Sequence, residues 1–250
     1  MSKKIFLISV LLALPILAQA GWQDYLNDIK KSIKGETTSP TTVAAPLSEE
    51  TVVSGLKQAL NQGVEKSVKQ LGSANGFLGD ATVKIPMPDT LGKVETGLRK
   101  IGQDKVADNF INTMNQAAEK AVPMTTDILV TAVKNMTLKD AINILKGEPD
   151  AATQYFKRSS TPQLRSAIKP LVTKATNSVG LTNNYKQMIS KAGYLARYVD
   201  QDSLDLDQYI TDKAIDGLFI KIALEEKNIR ENPVARTTEL LRSVFGGLIK

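Results

Sequence analysis

From Ser48 to Phe245, apolar residues return every three or four positions, and a single stretch, 72–89, breaks the rhythm. That spacing is the stripe of an α-helix facing a core. Val53, Leu56, Leu60, Val64 and Leu71 form one such face. Leu91, Val94, Leu98 and Ile101 form the next, followed by Val106, Phe110, Met114, Ala117 and Ala121. Tyr185, Met188, Ile189, Ala192 and Leu195 share a face of a helix over 182–199. Leu206, Ile210, Ala214, Leu218, Ile222 and Ile229 line the clearest one. Past Asn232-Pro233, Leu240, Leu241, Val244 and Phe245 predict a last helix. The pattern predicts an all-α, multi-helix single domain over 47–250.

Punctuation supports this segmentation. Ser48 precedes Glu49 and Glu50 as an N-cap with acids in the first turn. Thr137 and Asp140 have capping-box spacing, and Asp205 starts another helix. Gly147 and Gly180 are stops. Asp150 caps a short turn over 151–156. Pro162 then begins a separate helix that bends near Pro170. The segment from Pro123 to Met136 reads as helix, although Ile128-Leu129-Val130 also suits a strand. The irregular stretch holds Gly72, Gly76, Gly79, Pro86 and Pro88. Within it Ala81–Ile85 has strand character without a partner, and no phosphate-binding glycine motif occurs. Gly55, Ala59, Gly63 and Ser67 recur every four residues. Such a small-residue face suits close helix packing, or alternatively a ligand slot.

The chain has 250 residues with no Cys and no His. Disulfides, thiolate nucleophiles, iron–sulfur clusters and Cys-based zinc sites are thereby excluded. So are His-based triads, His-based zinc peptidases, Glu-x-x-His di-iron bundles and His-ligated haem. No cofactor or metal is expected, and no catalytic residue stands out.

Residues 1–20 read as a secretory signal peptide. Lys3 and Lys4 precede the apolar run Ile5–Leu17, and Ala18-Gln19-Ala20 is an A-x-A cleavage site. Cleavage between Ala20 and Gly21 is expected, with a Sec-type route to the periplasm. Absence of a Cys after Ala20 sets aside a lipoprotein anchor. Losing the two leader lysines leaves 30 basic against 26 acidic residues, a net +4. That weakly favours anionic envelope surfaces and gives no reason to expect nucleic acid. In 21–46, Trp22, Tyr25, Leu26, Ile29 and Ile33 form an amphipathic stripe flanked by Lys30, Lys31 and Lys34. A Thr/Pro linker follows over 36–47. The stripe either docks on its own core or makes weak contact with a membrane surface through Trp22–Lys34.

Three constellations bear on chemistry. Ser54/Lys57 and Ser166/Lys169 match S-x-x-K, but the companion motifs of Ser–Lys enzymes are missing. Asp200, Asp202, Asp205 and Asp207 fail the calcium-loop pattern and suit helix capping instead. Glu225 and Glu226 diverge by about 100° on a helix, so they cannot face one substrate together. With Arg230, Arg236 and Glu239 they suit an ion-pair network. The alternative is an anion site in which Arg230 and Arg236 are the ligand-binding residues at the start of the last helix.

Three strings, GFLGDATVKIPMP at 76–88, DAINILKGEPDAATQYF at 140–156 and YITDKAIDGLFIKIALEEKNIRENPVARTTELLRSVFG at 209–246, resemble an exported bacterial family catalogued as a domain of unknown function. The resemblance spans about Leu47 to Gly246. It implies a helical envelope protein and brings no activity. The expectation is a non-catalytic periplasmic binding or interaction protein holding an apolar or anionic small molecule, or meeting an envelope partner. The alternative is a hydrolase or transferase using carboxylates or Lys.

Overall fold

The computed structural model describes residues 48–198 and 204–232. The chain divides into two units, Met1–Pro46 and Leu47–Lys250. The expected leader, the Trp22–Lys34 stripe and the helix expected around Arg236 lie outside the described residues. So do Asp200 and Asp202.

Within the second unit, the described residues are helices joined by short turns. They are α1 (Glu49–Leu71), α2 (Gly92–Lys100), α3 (Asp104–Ala121), α4 (Thr126–Lys134), α5 (Leu138–Lys146), α6 (Ala151–Ser178), α7 (Leu181–Ala192) and α8 (Leu206–Glu231). One continuous apolar core joins them. Helix α8 runs through its middle against α1, α3 and α6. It is buried on several sides, from Ile210 and Thr211 through Gly217, Leu218 and Phe219 to Ile222, as a central helix should be.

The caps form as the sequence requires. Ser48 Oγ accepts from Thr51 N at 3.2 Å. Thr137 and Asp140 complete a reciprocal capping box. The Asp205 carboxylate accepts from Gln208 N at 2.8 Å.

Four local expectations are corrected. First, 151–178 is one helix with Pro162 and Pro170 inside it, not a turn followed by a helix starting at Pro162. A buried line of Phe156, Ser160, Leu164, Ile168 and Val172 runs through both prolines, so tertiary burial outweighs the missing N–H groups. Both prolines are exposed, so the carbonyls they leave unpaired lie on the solvent side of the helix. Second, Ala81–Ile85 is not a strand; residues 81–83 are turn and 84–88 irregular. Third, α7 stops at Ala192 because Gly193 adopts φ 56°, and a 3-10 turn follows over Gly193–Tyr198. Fourth, Ile101 leaves its predicted face: α2 ends at Lys100, Gly102 turns with φ 72°, and the Ile101 side chain is thrown outward. Residues 128–130 are helical, inside α4, in keeping with the helix expected over 123–136.

The small-residue face of α1 is packed. Gly55, Ala59, Gly63 and Ser67 are all buried. A methyl at Gly63 would lie 3.7 Å from Glu225 Cβ and 4.0 Å from Ile229 Cδ1 of α8, which is ordinary contact. Gly63→Ala should therefore raise stability by about 0.5–1 kcal/mol through helix propensity. Gly63→Leu should lower it by about 1–3 kcal/mol through overpacking. Urea denaturation of both variants checks this; a Leu variant as stable as the parent would mean that the face is open.

Candidate functional site

The charged cluster on α8 resolves into two separate pairs. Glu225 turns toward α1 and pairs with Lys66 at 2.8 Å. Glu226 turns inward and meets the first turn of α6. Its Oε1 accepts from Ala152 N, and its Oε2 accepts from Thr153 N and Thr153 Oγ1, all at 2.9 Å. Arg230 donates to the same carboxylate through Nη2 at 2.8 Å and Nε at 3.1 Å. Its Nη2 also donates to Ile144 O at 2.9 Å, at the end of α5. A helix N-terminus with an arginine beside it is a ready anion site. Here the anion is the protein's own Glu226. Asp150, the expected cap, makes no side-chain capping bond and takes Gln154 Nε2 instead. A void of about 10 Å³ lies beside the pair, between Leu56, Ile144 and Ile229. That is at the lower limit for one water.

A second buried polar cluster fixes the irregular segment 72–88. Asn115, fully buried on α3, accepts from Ile85 N and donates to Ile85 O, both at 2.9 Å. One side-chain amide thus supplies both bonds that a neighbouring strand would make. Around it Val83, Ile85 and Met87 are buried while Lys84 and Pro86 are exposed. The buried-and-exposed alternation over 83–87 thus has a side chain as its partner. One turn further along α3, buried Glu119 accepts from Phe77 N at 3.1 Å and Leu78 N at 3.4 Å. Phe77 sits on Gly217 of α8, where a Cβ would lie 2.7 Å from its ring. Gly76 is as tight, since a Cβ there would lie 2.4 Å from Gln70 O.

Asp80 anchors the same segment to Lys221 of α8. Its carboxylate is held down to about 2 from 3.8, first by the Lys221 ammonium and then by the Thr82 hydroxyl and N–H. Because the folded-state value lies below the unfolded one, this stabilisation is complete above about pH 4 and is lost as pH falls toward 2. Asp140 and Asp205 are depressed in the same direction, by Thr137 and by the Gln208 N–H with Lys169. Urea midpoints should therefore fall between pH 5 and pH 2. Asp80→Asn should remove on the order of 1–2 kcal/mol of that slope. An unchanged slope in the variant would count against the anchor.

Clefts open on the described surface. One of about 530 Å³ lies between α2 and the end of α7, where Gly92, Lys93, Thr96, Lys100, Ile101 and Tyr194 meet. A cleft of about 390 Å³ lies between α4 and α6, bordered by Asp127, Thr131, Tyr155 and Ser159. Another of about 250 Å³ lies between α5 and α6, bordered by Asp140, Glu148, Tyr155 and Arg158. Tyr155 separates the last two. Its hydroxyl donates to Ala132 O at 3.0 Å, and burial pushes its pKa up.

The remaining candidates are accounted for. Lys57 donates to Lys134 O at 3.0 Å, and Lys169 pairs with Asp205 at 2.9 Å and Gln208 at 3.1 Å. Ser54 and Ser166 are exposed. Lys169 is thus turned to Asp205 and Gln208 of α8 and away from Ser166, with no hydrogen bond between the two. Asp207 takes the hydroxyls of Thr173 and Thr176. Among the described residues no group of three or more acidic side chains is placed to hold a metal ion. No helix among them is long and apolar enough to cross a membrane. Asn115, Glu119 and Tyr194 were not singled out from the sequence. Asn115 and Glu119 had a signal there: they lie four apart and continue the apolar position of Ile111 on α3.

A family model described as "Protein of unknown function (DUF4197)" matches residues 46–246. The chain belongs to the DUF4197 family. Neither a curated protein nor a solved structure matches it. The DUF4197 match takes in the clamped segment, the Glu226 cap and the three clefts described above, and it leaves residues 1–45 outside.

Proposed function

We propose that this DUF4197 member is an exported, non-catalytic binding or interaction protein of the bacterial envelope. The observation that carries the reading is the cleft between α2 and α7. Its volume of about 530 Å³ falls in the range of small-molecule sites, and it combines exposed apolar side chains with lysines. Several carboxylates and lysines that a hydrolase or transferase could have used are engaged in structural contacts. Glu226 caps a helix, Asp80 and Lys221 hold a segment, and Lys169 faces Asp205. Export is part of the same proposal. It is supported by the A-x-A site after the apolar run and by the absence of Cys, which leaves no thiol to oxidise.

The test is native mass spectrometry of protein purified from the periplasm, with N-terminal sequencing of the same sample. The expected result is a chain starting at Gly21 that carries an apolar or anionic molecule or a partner. An intact Met1 in the cytoplasm would overturn the export reading. Turnover of ester or glycoside substrates that is abolished by a single carboxylate or lysine substitution would overturn the non-catalytic one.

A further inference from the structure

We infer that the cleft between α4 and α6 is a binding site for a neutral carbohydrate. This rests on the reading that the protein acts by binding, and it adds a site apart from the α2–α7 cleft.

The cleft, about 390 Å³, runs between two ridges of side chains, each spaced by four residues. Asp127, Thr131 and Asn135 stand along α4 and its C-terminal cap, and Tyr155, Ser159 and Gln163 stand along α6. A step of four residues is about 6 Å of rise, so each ridge presents three groups over about 12 Å. Half-buried Ile128 and Ala132 give the cleft an apolar lining. The side chains of Asp127, Thr131, Asn135 and Gln163 are exposed and make no hydrogen bond or ion pair with other described residues. The Ser159 hydroxyl donates to Tyr155 O at 2.9 Å and keeps its lone pairs to accept. The Tyr155 hydroxyl crosses to Ala132 O of α4, which fixes the ring as a wall between this cleft and the α5–α6 cleft.

Hydrogen-bonding character sets the ligand class. No Lys or Arg lines this cleft, and Asp127 is the single charged residue that does. The α2–α7 cleft has Lys93 and Lys100, and the α5–α6 cleft has Asp140, Glu148, Asp150 and Arg158. A phosphate or carboxylate would meet Asp127 here with no cation to receive it. The Thr131 hydroxyl and the Asn135 and Gln163 amides each offer both a donor and an acceptor. A sugar hydroxyl also does both. An ammonium only donates, and a peptide fixes each backbone group as one or the other. Asp127 accepts from hydroxyls as readily as the amides do, and the π-face of the Tyr155 ring attracts the C–H groups of a saturated ring. Helix surfaces are commonly polar. Here polar ends, an apolar lining and a fixed aromatic wall share one concavity, which is the makeup of a small-molecule site.

The test is titration of the mature chain with cellotriose, maltotriose and N-acetylated chitotriose, followed by backbone amide chemical shifts. At least one trisaccharide is expected to bind saturably and to shift amides of 127–135 and 155–163. Asn135→Ala with Gln163→Ala should weaken that binding by about tenfold without a change in melting temperature, because neither side chain bonds to the fold. Asp127→Asn should keep most of the affinity, since an amide oxygen still accepts from a hydroxyl. Lys100→Ala, in the α2–α7 cleft, should bind like the parent. No saturable shift with any of the sugars, shifts confined to other residues, or equal weakening by Lys100→Ala would each overturn the assignment. So would saturation of the same amides by spermidine or by capped trialanine and not by a sugar. If sugars fail to bind to protein that still carries a co-purified molecule, the carbohydrate site falls and the binding reading stands.

Discussion

Glu226→Ala should lower the melting temperature by roughly 10–15 °C, while Glu225→Ala, one residue earlier, should shift it by about 3 °C at most. The two carboxylates differ in what they leave behind. Removing Glu226 strands the Arg230 guanidinium, whose side chain is 17% exposed, and frees two N–H groups at the start of α6. Breaking a buried pair from one side costs about 3–5 kcal/mol, and each kcal/mol is about 2–4 °C for a domain of this size. Removing Glu225 strands only Lys66, whose side chain is 60% exposed. Exposed pairs contribute about 0–1 kcal/mol. A double-mutant cycle between Glu226 and Arg230 should give a coupling of about 1–3 kcal/mol. Equal melting of the two single variants would show that the α6 cap is not held by Glu226.

The second large effect should come from Asn115→Leu. The number and branching of side-chain heavy atoms are conserved, yet Ile85 N–H and C=O lose their partner in a buried setting. Each unsatisfied group costs about 1–3 kcal/mol, so a loss of about 2–5 kcal/mol is expected from thermal melting. Hydrogen exchange gives the more specific readout: the Ile85 amide should lose protection even where the variant remains folded. Full protection at Ile85 in a folded Leu variant would mean that the segment is held by its apolar contacts alone.

These two residues mark the boundary of what the sequence revealed. Local chemistry was legible. Ser48, the Thr137/Asp140 pair and Asp205 cap the helices they were expected to cap, because a cap depends on groups three residues away. The apolar stripes of α1, α3 and α8 were legible because burial imposes a 3.6-residue period. The Glu226 cap was not, since its partners lie 73 and 74 residues earlier. Spacing to Arg230 showed an ion pair and gave no hint of the helix end beneath it. Pro162 misled for a related reason: a proline reads as a helix start when only its own turn is considered, whereas the burial of Phe156, Leu164 and Ile168 carries the helix through. Strand character at Ala81–Ile85 was misleading over 81–83, which turn, and only the buried Val83, Ile85 and Met87 keep a strand-like alternation. The search for a partner strand failed because Asn115, a single side chain, fills that place. Of the named ligand-binding pair, Arg230 is engaged with Glu226 and Ile144, and Arg236 lies outside the described residues.

The position of α8 in the chain has a consequence for the order in which the molecule is completed. Lys221 reaches back 141 residues to Asp80, Tyr209 reaches back 123 residues to Pro86, and Glu226 reaches back 74 to Ala152. A ribosome has made four-fifths of the polypeptide before any of these contacts has both ends. Closing such long loops delays folding relative to helical proteins whose neighbours in space are neighbours in sequence. The nascent chain therefore lacks the keystone that locks its helices together until synthesis is almost finished.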